Sequence, residues 1–264
     1  LHGKVPTDDI PRIAAQSFVN RARNMTDLML ASRLLHPRTF ERYGGRIPEP
    51  YLSDLLEDQR RRQPTILLTA YLGSFDLLPI FLGYNGIRVS AIYLPHSDKG
   101  FDSFRLKVRG QSGCELVPVH QAAARLGQVL GEGGTVAILS DHHVEDRGMN
   151  VKFLGLDTKV SRSVGLLAWR YEANVVVAAL RRLDEKFCFE LAVADVVYHK
   201  EAVAHDDPVE FVIRRYLKAL EGLILENPAQ YLWAYARWGE DFAQRVTQGQ
   251  DNLEQQGGTK STTA

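Results

Sequence analysis

The run Val175-Val176-Val177-Ala178-Ala179-Leu180 has no polar position and is rich in β-branched side chains. A strand with one face in water alternates polar and apolar residues, whereas an unbroken apolar run belongs to a strand covered on both faces. Such a strand needs helices on both sides of its sheet, and this restricts the chain to a layered α/β architecture. Phe187, Phe189, Leu191 and Val193 alternate instead, as expected of a strand with one wetter face. Upstream, apolar runs at Thr65–Thr69, Val89–Leu94, Glu115–Val119 and Thr135–Leu139 read as further strands. Between and after them, helical patterns cover Phe75–Tyr84, Phe101–Arg109, Gln121–Leu130, Ser161–Tyr171 and Pro208–Glu226. The order predicts an α/β fold: a central, mostly parallel or mixed sheet flanked by helices.

An N-terminal helical segment precedes this unit. Ile13, Phe18, Met25, Leu28, Met29 and Leu35 recur at roughly helical spacing, which predicts helix over Ile10–Leu35 in one or two pieces. The segment is both basic and apolar. Packing on the core explains that pattern, and so does a membrane-proximal position. Pro37 and the stretch from Gly44-Gly45 to Pro50 end it, and Tyr51–Arg61 reads as a short charged helix. Near the other end, Asp207 is a candidate N-cap with Pro208 at the first helical position, and Asn227-Pro228 stops the helix. Val212, Tyr216, Leu220, Leu223 and Ile224 mark its buried stripe. After Arg245 the composition turns to Gln, Gly, Thr, Ser and Asn. The expected organisation is a helical segment over 1–64 packed on the core, an α/β domain over 65–245 and a disordered tail over 246–264.

Of the 264 residues, 32 are basic and 32 acidic, so bulk charge gives no argument for nucleic acid. The clusters Arg60-Arg61-Arg62, Arg181-Arg182 and Arg214-Arg215 read as solvated faces or helix ends, with an anionic surface as the alternative. Cys114 and Cys188 lack disulfide-framework or metal-ligand spacing and read as buried thiols. No apolar run approaches the roughly 20 residues of a membrane span. The chain opens on Leu1 rather than Met and reads as a piece lacking upstream sequence. There is no nucleophile elbow, phosphate-binding loop or dinucleotide fingerprint; Ser74 follows Gly73 but lacks the elbow's second glycine.

The segment with most chemical content is Ala70-Tyr71-Leu72-Gly73-Ser74-Phe75-Asp76, between two apolar runs. It resembles the signature of the bacterial lipid A acyltransferases, Ala-His-Leu-Gly-Asn-Trp-Glu, with Asp76 at the acid position and Tyr71 where that family has its catalytic histidine. Four later blocks strengthen the likeness. Tyr93-Leu94-Pro95 leads to Arg109-Gly110, though Leu94 stands where the family has arginine. Gly133-Gly134 and a strand lead to Asp141, with His142 in place of the usual glutamine. Val151-Lys152-Phe153-Leu154-Gly155 resembles Val-x-Phe-Phe-Gly, and Val160-Ser161 opens the next helix. Finally, Pro228 to Trp238 resembles Pro-Glu-Gln-Trp-x-Trp-x-His-x-Arg-Trp, with Tyr235 at the histidine and Arg237 at the arginine.

The resemblance implies transfer of a fatty acyl group from an acyl carrier protein or coenzyme A thioester to a glycolipid hydroxyl. It implies no cofactor, no nucleic acid and a place at the cytoplasmic face of the inner membrane. Such a reaction needs a base for the attacking hydroxyl, and a histidine held by a carboxylate suits this. A phenol, with its ordinary pKa near 10, does not. Asp76, Tyr71 and His142 are therefore the catalytic candidates, with His142 or its neighbour His143 as a base reaching Tyr71 or Asp76 from another strand. Gly73, Ser74, Arg109, Asp141, Ser161 and Arg237 are the substrate-binding candidates, Arg109 for an anionic group. The helix opening after Gly73 is expected to offer free N–H groups to an anion. Phe75, Leu78 and Leu82 would form an apolar wall. A solvated loop around His142 and His143 is the plain alternative; His96 also reads as a solvated loop residue. A catalytically silent lipid- or acyl-carrier-binding paralogue is one competing function. A metal-dependent hydrolase built on Asp141, His142, His143, Glu145 and Asp146 is another.

Overall fold

The computed structural model describes residues 4–145, 148–235 and 237–239; Asp146 and the tail over 246–264 lie outside them. The chain opens with α1 (Ile10–Leu34) and α2 (Tyr51–Arg61). Strands and helices then alternate as β1 (Thr65–Thr69), α3 (Leu78–Tyr84), β2 (Val89–Tyr93), α4 (Lys99–Arg109), β3 (Glu115–Pro118), α5 (Ala122–Gly131) and β4 (Thr135–Leu139). A hairpin follows, β5 (Gly148–Phe153) and β6 (Leu156–Ser161), then α6 (Ser163–Arg170). The last elements are β7 (Asn174–Arg182), β8 (Phe189–Val197), α7 (His199–Ala202) and α8 (Pro208–Glu226).

Six strands form one sheet in the order β3-β2-β4-β1-β7-β8. The first five run parallel and β8 pairs antiparallel to β7 at the edge. The apolar run Val175–Leu180 lies in β7 and is buried at every position. Its side chains alternate between two cores. Val175, Val177 and Ala179 join Leu126, Val164 and Ile213 from α5, α6 and α8. Val176, Ala178 and Leu180 join Leu28, Leu55, Phe81 and Val108 from α1, α2, α3 and α4. This is the three-layer arrangement that the unbroken run demands.

The expected helices are present with local differences. Ile10–Leu34 is one continuous helix rather than two. Its sequence stripe splits in space: Ile13, Leu28 and Leu35 are buried, while Phe18, Met25 and Met29 are exposed. Asp207 caps α8 as expected, its Oδ1 accepting from the Glu210 N–H at 2.9 Å. All five residues of the expected α8 stripe are buried, each side chain contributing about 1.5–3 kcal/mol of apolar burial. The β5–β6 hairpin was not expected as strands, because its polar Asn150, Lys152, Asp157 and Lys159 interrupt the apolar pattern. Cys114 is buried but Cys188 is only half-buried. Among the described residues, no helix is long and apolar enough to cross a membrane.

The arginine clusters are mostly neutralised locally. Arg181 pairs with Glu190 and Glu226, Arg214 with Glu210, and Arg215 with Asp195 and Glu201. Arg182 differs: it is buried and pairs with the buried Asp27 of α1, tying that helix to the sheet. Burial pushes the Asp27 carboxyl up from its ordinary value, opposed by the Arg182 guanidinium. Removing one partner of such a pair leaves the other charge buried and uncompensated. Asp27→Ala is therefore expected to cost about 3–5 kcal/mol, measurable as a lower urea midpoint; Arg182→Met in the same background should recover part of it.

Candidate active site at the ends of two adjacent strands

β1 and β4 are neighbours in register, Thr69 opposite Leu139. Each chain leaves the sheet one residue later, so Tyr71 and Asp141 stand at equivalent offsets past the strand ends. The pairing continues once more as the Ser140 N–H donates to the Thr69 carbonyl at 3.0 Å. Beyond it, the Asp141 carboxylate replaces a strand partner. Its Oδ2 accepts the Tyr71 backbone N–H at 3.2 Å and the Tyr231 hydroxyl at 2.9 Å. Asp141 is fully buried.

The turn between Tyr71 and Asp76 is held from several sides. Gly73 has φ +61°, and a Cβ there would meet the Leu180 carbonyl oxygen at 2.2 Å, so only glycine fits. Its N–H donates to the Gln230 carbonyl at 3.1 Å, and Leu232 N–H donates to the Tyr71 carbonyl at 2.9 Å. Ser74 is buried and its Oγ faces α1, 3.1 Å from Asp27 Oδ2. Gly73 and Ser74 are not in the lining of any of the three cavities described below. The helix expected to open directly after Gly73 begins later, at Leu78. The chain enters a 3₁₀ turn, Phe75–Leu77, before α3. There Ser74 N–H is spent on the Leu180 carbonyl and Leu77 N–H on the Ser74 carbonyl.

Two polar pairs result. Tyr71 Oη and His142 Nε2 are 3.2 Å apart, and His142 Nδ1 is 3.2 Å from the Leu139 carbonyl oxygen. A carbonyl only accepts, so Nδ1 carries the hydrogen; in the neutral ring Nε2 then accepts from Tyr71. The Tyr71 ring also contacts Tyr235, Phe75 and His142, at centroid separations of 5.2, 5.0 and 5.3 Å. Burial first, then the Asp141 charge, pushes the Tyr71 phenol up to about 12. The second pair is Asp76 with Arg109, an ion pair of two largely buried side chains. Burial pulls Arg109 down to about 10, which leaves it charged at neutral pH. The described contacts do not join Asp76 to Tyr71 or His142.

The Tyr71–His142 pair sits between two large cavities, Tyr71 lining one and His142 the other, while Asp76 and Arg109 line only the first. One, of about 340 Å³, is lined by Tyr71, Phe75, Asp76, Leu78, Arg105 and Arg109, with Met25, Leu94 and His96 at its edge. The other, of about 560 Å³, is lined by Leu126, Ile138, Val164, Leu167, Ser161 and His142. A smaller cavity of about 190 Å³ opens between α1 and the turn, reaching Tyr71 and Asp76 past Arg21 and Met25. The buried hydroxyls of Thr69 and Ser140 have no partner among the described residues, and each lines one of the two larger cavities. An apolar pocket with a few polar hooks is the usual form of a small-molecule site.

Of the candidates named from sequence, the fold brings Tyr71, His142, Asp76, Arg109 and Asp141 to the ends of these strands. His143 is elsewhere: its Nδ1 is 3.1 Å from Thr158 Oγ1, on the β5–β6 hairpin. Arg237 is buried with its guanidinium 4.6 Å from the centre of the Phe153 ring, and lines neither large cavity. Leu82 is core rather than wall, while Phe75 and Leu78 line the smaller of the two large cavities. His96 is exposed at its rim. Arg105 and Tyr231 were not singled out. Arg105 lies four residues before Arg109, so the helical period puts both on one face, and this signal was available. Tyr231 has no such signal, because only the bridge between Leu72 and Tyr231 brings it to Asp141. Among the described residues, no cluster of three or more His, Cys, Asp or Glu is placed to hold a metal, so nothing supports the hydrolase.

The raised phenols of Tyr71, Tyr216 and Tyr231 give a pH prediction. Folding favours their protonated forms, while unfolded phenols titrate near 10. The stability they contribute is complete below pH 10 and is lost as pH rises toward 12. The urea midpoint should fall over that range, less steeply in Tyr71→Phe. Tyr231→Phe should cost about 1–3 kcal/mol at pH 7, because an Asp141 oxygen loses its donor.

A search of curated proteins finds no match to this chain. The family profile for bacterial lipid A biosynthesis acyltransferases matches residues 10–240, which include every residue of the site described above. The chain belongs to the bacterial lipid A biosynthesis acyltransferase family.

Proposed function

We propose that this protein moves a fatty acyl group from a thioester donor to a hydroxyl of a glycolipid, with Tyr71 and His142 replacing the family's motif histidine. The observation that carries the reading is the Tyr71–His142 hydrogen bond, whose two partners line different large cavities. The acceptor oxygen attacks the thioester carbonyl carbon; the new C–O bond forms and the C–S bond breaks. The hydroxyl proton goes to Tyr71 Oη as the Tyr71 proton passes to His142 Nε2, and on collapse the His142 proton returns through Tyr71 to the leaving thiolate, which restores both side chains. A free phenolate would be a costly base. With a pKa of about 12, generating it at pH 7 costs roughly 7 kcal/mol. Concerted transfer avoids that species, and the Leu139 carbonyl holds the imidazole in the required tautomer.

The other residues have supporting roles. Asp76 and Arg109 neutralise each other at the cavity wall. Arg105, whose nearest carboxylate is Asp102 at 3.9 Å, is the better cation for a phosphate on the donor or acceptor. The cavity of about 560 Å³ is large and apolar enough for an acyl chain, with Ser161 at its lining. An acyl carrier protein or coenzyme A brings the thioester, and the acceptor comes from the cytoplasmic face of the inner membrane. The second reading, a silent lipid-binding paralogue, is favoured by tyrosine at both Tyr71 and Tyr235.

The test incubates the full chain with acyl-carrier or coenzyme A thioester and membrane glycolipid. Transfer is expected, with His142→Gln and Tyr71→Phe each lowering kcat by about 10²-fold or more at little change in KM. Arg105→Ala should raise KM with kcat nearly unchanged. Lipid binding without transfer in the unaltered protein supports the silent paralogue instead, and transfer that survives His142→Gln removes the relay.

A further inference from the structure

We infer that the exposed face of α1 lies on an anionic lipid surface and feeds a lipid acceptor directly to Tyr71 and Asp76. The inference deepens the acyl-transfer reading and rests on it for the identity of the lipid. Phe18 is 62% exposed, Met29 53% and Met25 41%, large values for side chains of this size in one helix. At 100° per residue these three project within about 40° of one another, and the exposed Arg21 and Arg33 flank them on either side. An apolar stripe edged by cations is the pattern of a helix lying in a membrane interface.

Charge selects the partner. The one acidic residue in α1 is Asp27, and it is buried against Arg182 on the opposite face. Arg12 and Arg23 pair with Asp9 and Glu185, but Arg21 and Arg33 make no ion pair among the described residues. Their free charge matches anionic headgroups, worth about 1 kcal/mol each near such a surface.

The same face carries the entrance. The cavity of about 190 Å³ is lined both by Arg21 and Met25 of this face and by Tyr71 and Asp76. Met25 also edges the cavity of about 340 Å³. A lipid under α1 thus reaches the site through the gap between α1 and the turn, without leaving the bilayer.

The experiment sediments the full chain with vesicles of phosphatidylglycerol and phosphatidylcholine, and with phosphatidylcholine alone, in the absence of any acyl donor. Binding to the anionic vesicles is expected to be at least tenfold tighter. Phe18→Glu/Met29→Glu should weaken it by tenfold or more, and Arg21→Glu/Arg33→Glu should abolish the preference for anionic lipid. Both variants change exposed positions, and an unchanged thermal midpoint confirms that each is folded. An unaltered protein that does not sediment overturns the inference, as does wild-type binding by both folded variants. A concentration-dependent dimer that Phe18→Glu/Met29→Glu dissociates, without vesicle binding, assigns the face to a second copy and also overturns it. Sedimentation needs no donor, so vesicle binding here combined with no transfer in the separate donor-containing assay sinks only the acyl-transfer reading. Transfer to a detergent-solubilised acceptor without vesicle binding sinks only this one.

Discussion

A single buried carboxylate organises the site. Asp141 takes the Tyr71 N–H at the end of one strand and the Tyr231 hydroxyl from the C-terminal segment, so three distant stretches converge on one side chain. The sheet ladder has run out at this point, and a backbone N–H left unpaired in the interior would cost free energy comparable to a lost hydrogen bond. Asp141 supplies the missing acceptor and so fixes where the Tyr71 side chain emerges. The next residue is His142, and its ring returns to the Leu139 carbonyl. Anchor and partner of Tyr71 are thus consecutive residues. A shift of the Asp141 backbone would move both together.

Charge in this interior is handled by pairing. Asp76 meets Arg109 and Asp27 meets Arg182, and both acids lie on or against the turn that carries the motif. Buried ion pairs of this kind add little net stability against apolar replacements, but they fix geometry because breaking one strands a charge. The turn is consequently clamped from the α1 side by Ser74 and Asp27 and from the α4 side by Arg109. Beside the turn, Thr69 lines one of the two large cavities and Ser140 the other, and neither hydroxyl has a partner among the described residues.

Much of this was legible in the chain. The unbroken Val175–Leu180 run called for a covered strand, and β7 is buried on both faces. Residue order placed Tyr71 and His142 at strand ends, where α/β proteins put their loops. The β5–β6 hairpin was not legible, since the exposed Asn150, Lys152, Asp157 and Lys159 interrupt its apolar positions. Nor was the role of Ser74: residue type suggested a ligand contact, whereas the left-handed Gly73 turns its hydroxyl toward α1. The α1 stripe allowed core packing or a membrane-proximal position, and periodicity could not divide it, because a helix of 25 residues has more apolar positions than one buried face can hold.

The sequence by itself determined the layered class, the bounds of the six sheet strands and the longer helices to within a few residues, and the residue types available at each strand end. Those follow from local periodicity, capping and side-chain chemistry, all of which act over a few residues. Only the tertiary structure decided that β4 lies beside β1, that His142 rather than His143 meets Tyr71, and that Asp76 is spent on Arg109. Strand neighbours that are some 70 residues apart are selected by how two cores close around the sheet. Which of two adjacent histidines points inward then depends on one carbonyl, that of Leu139, at the end of a strand.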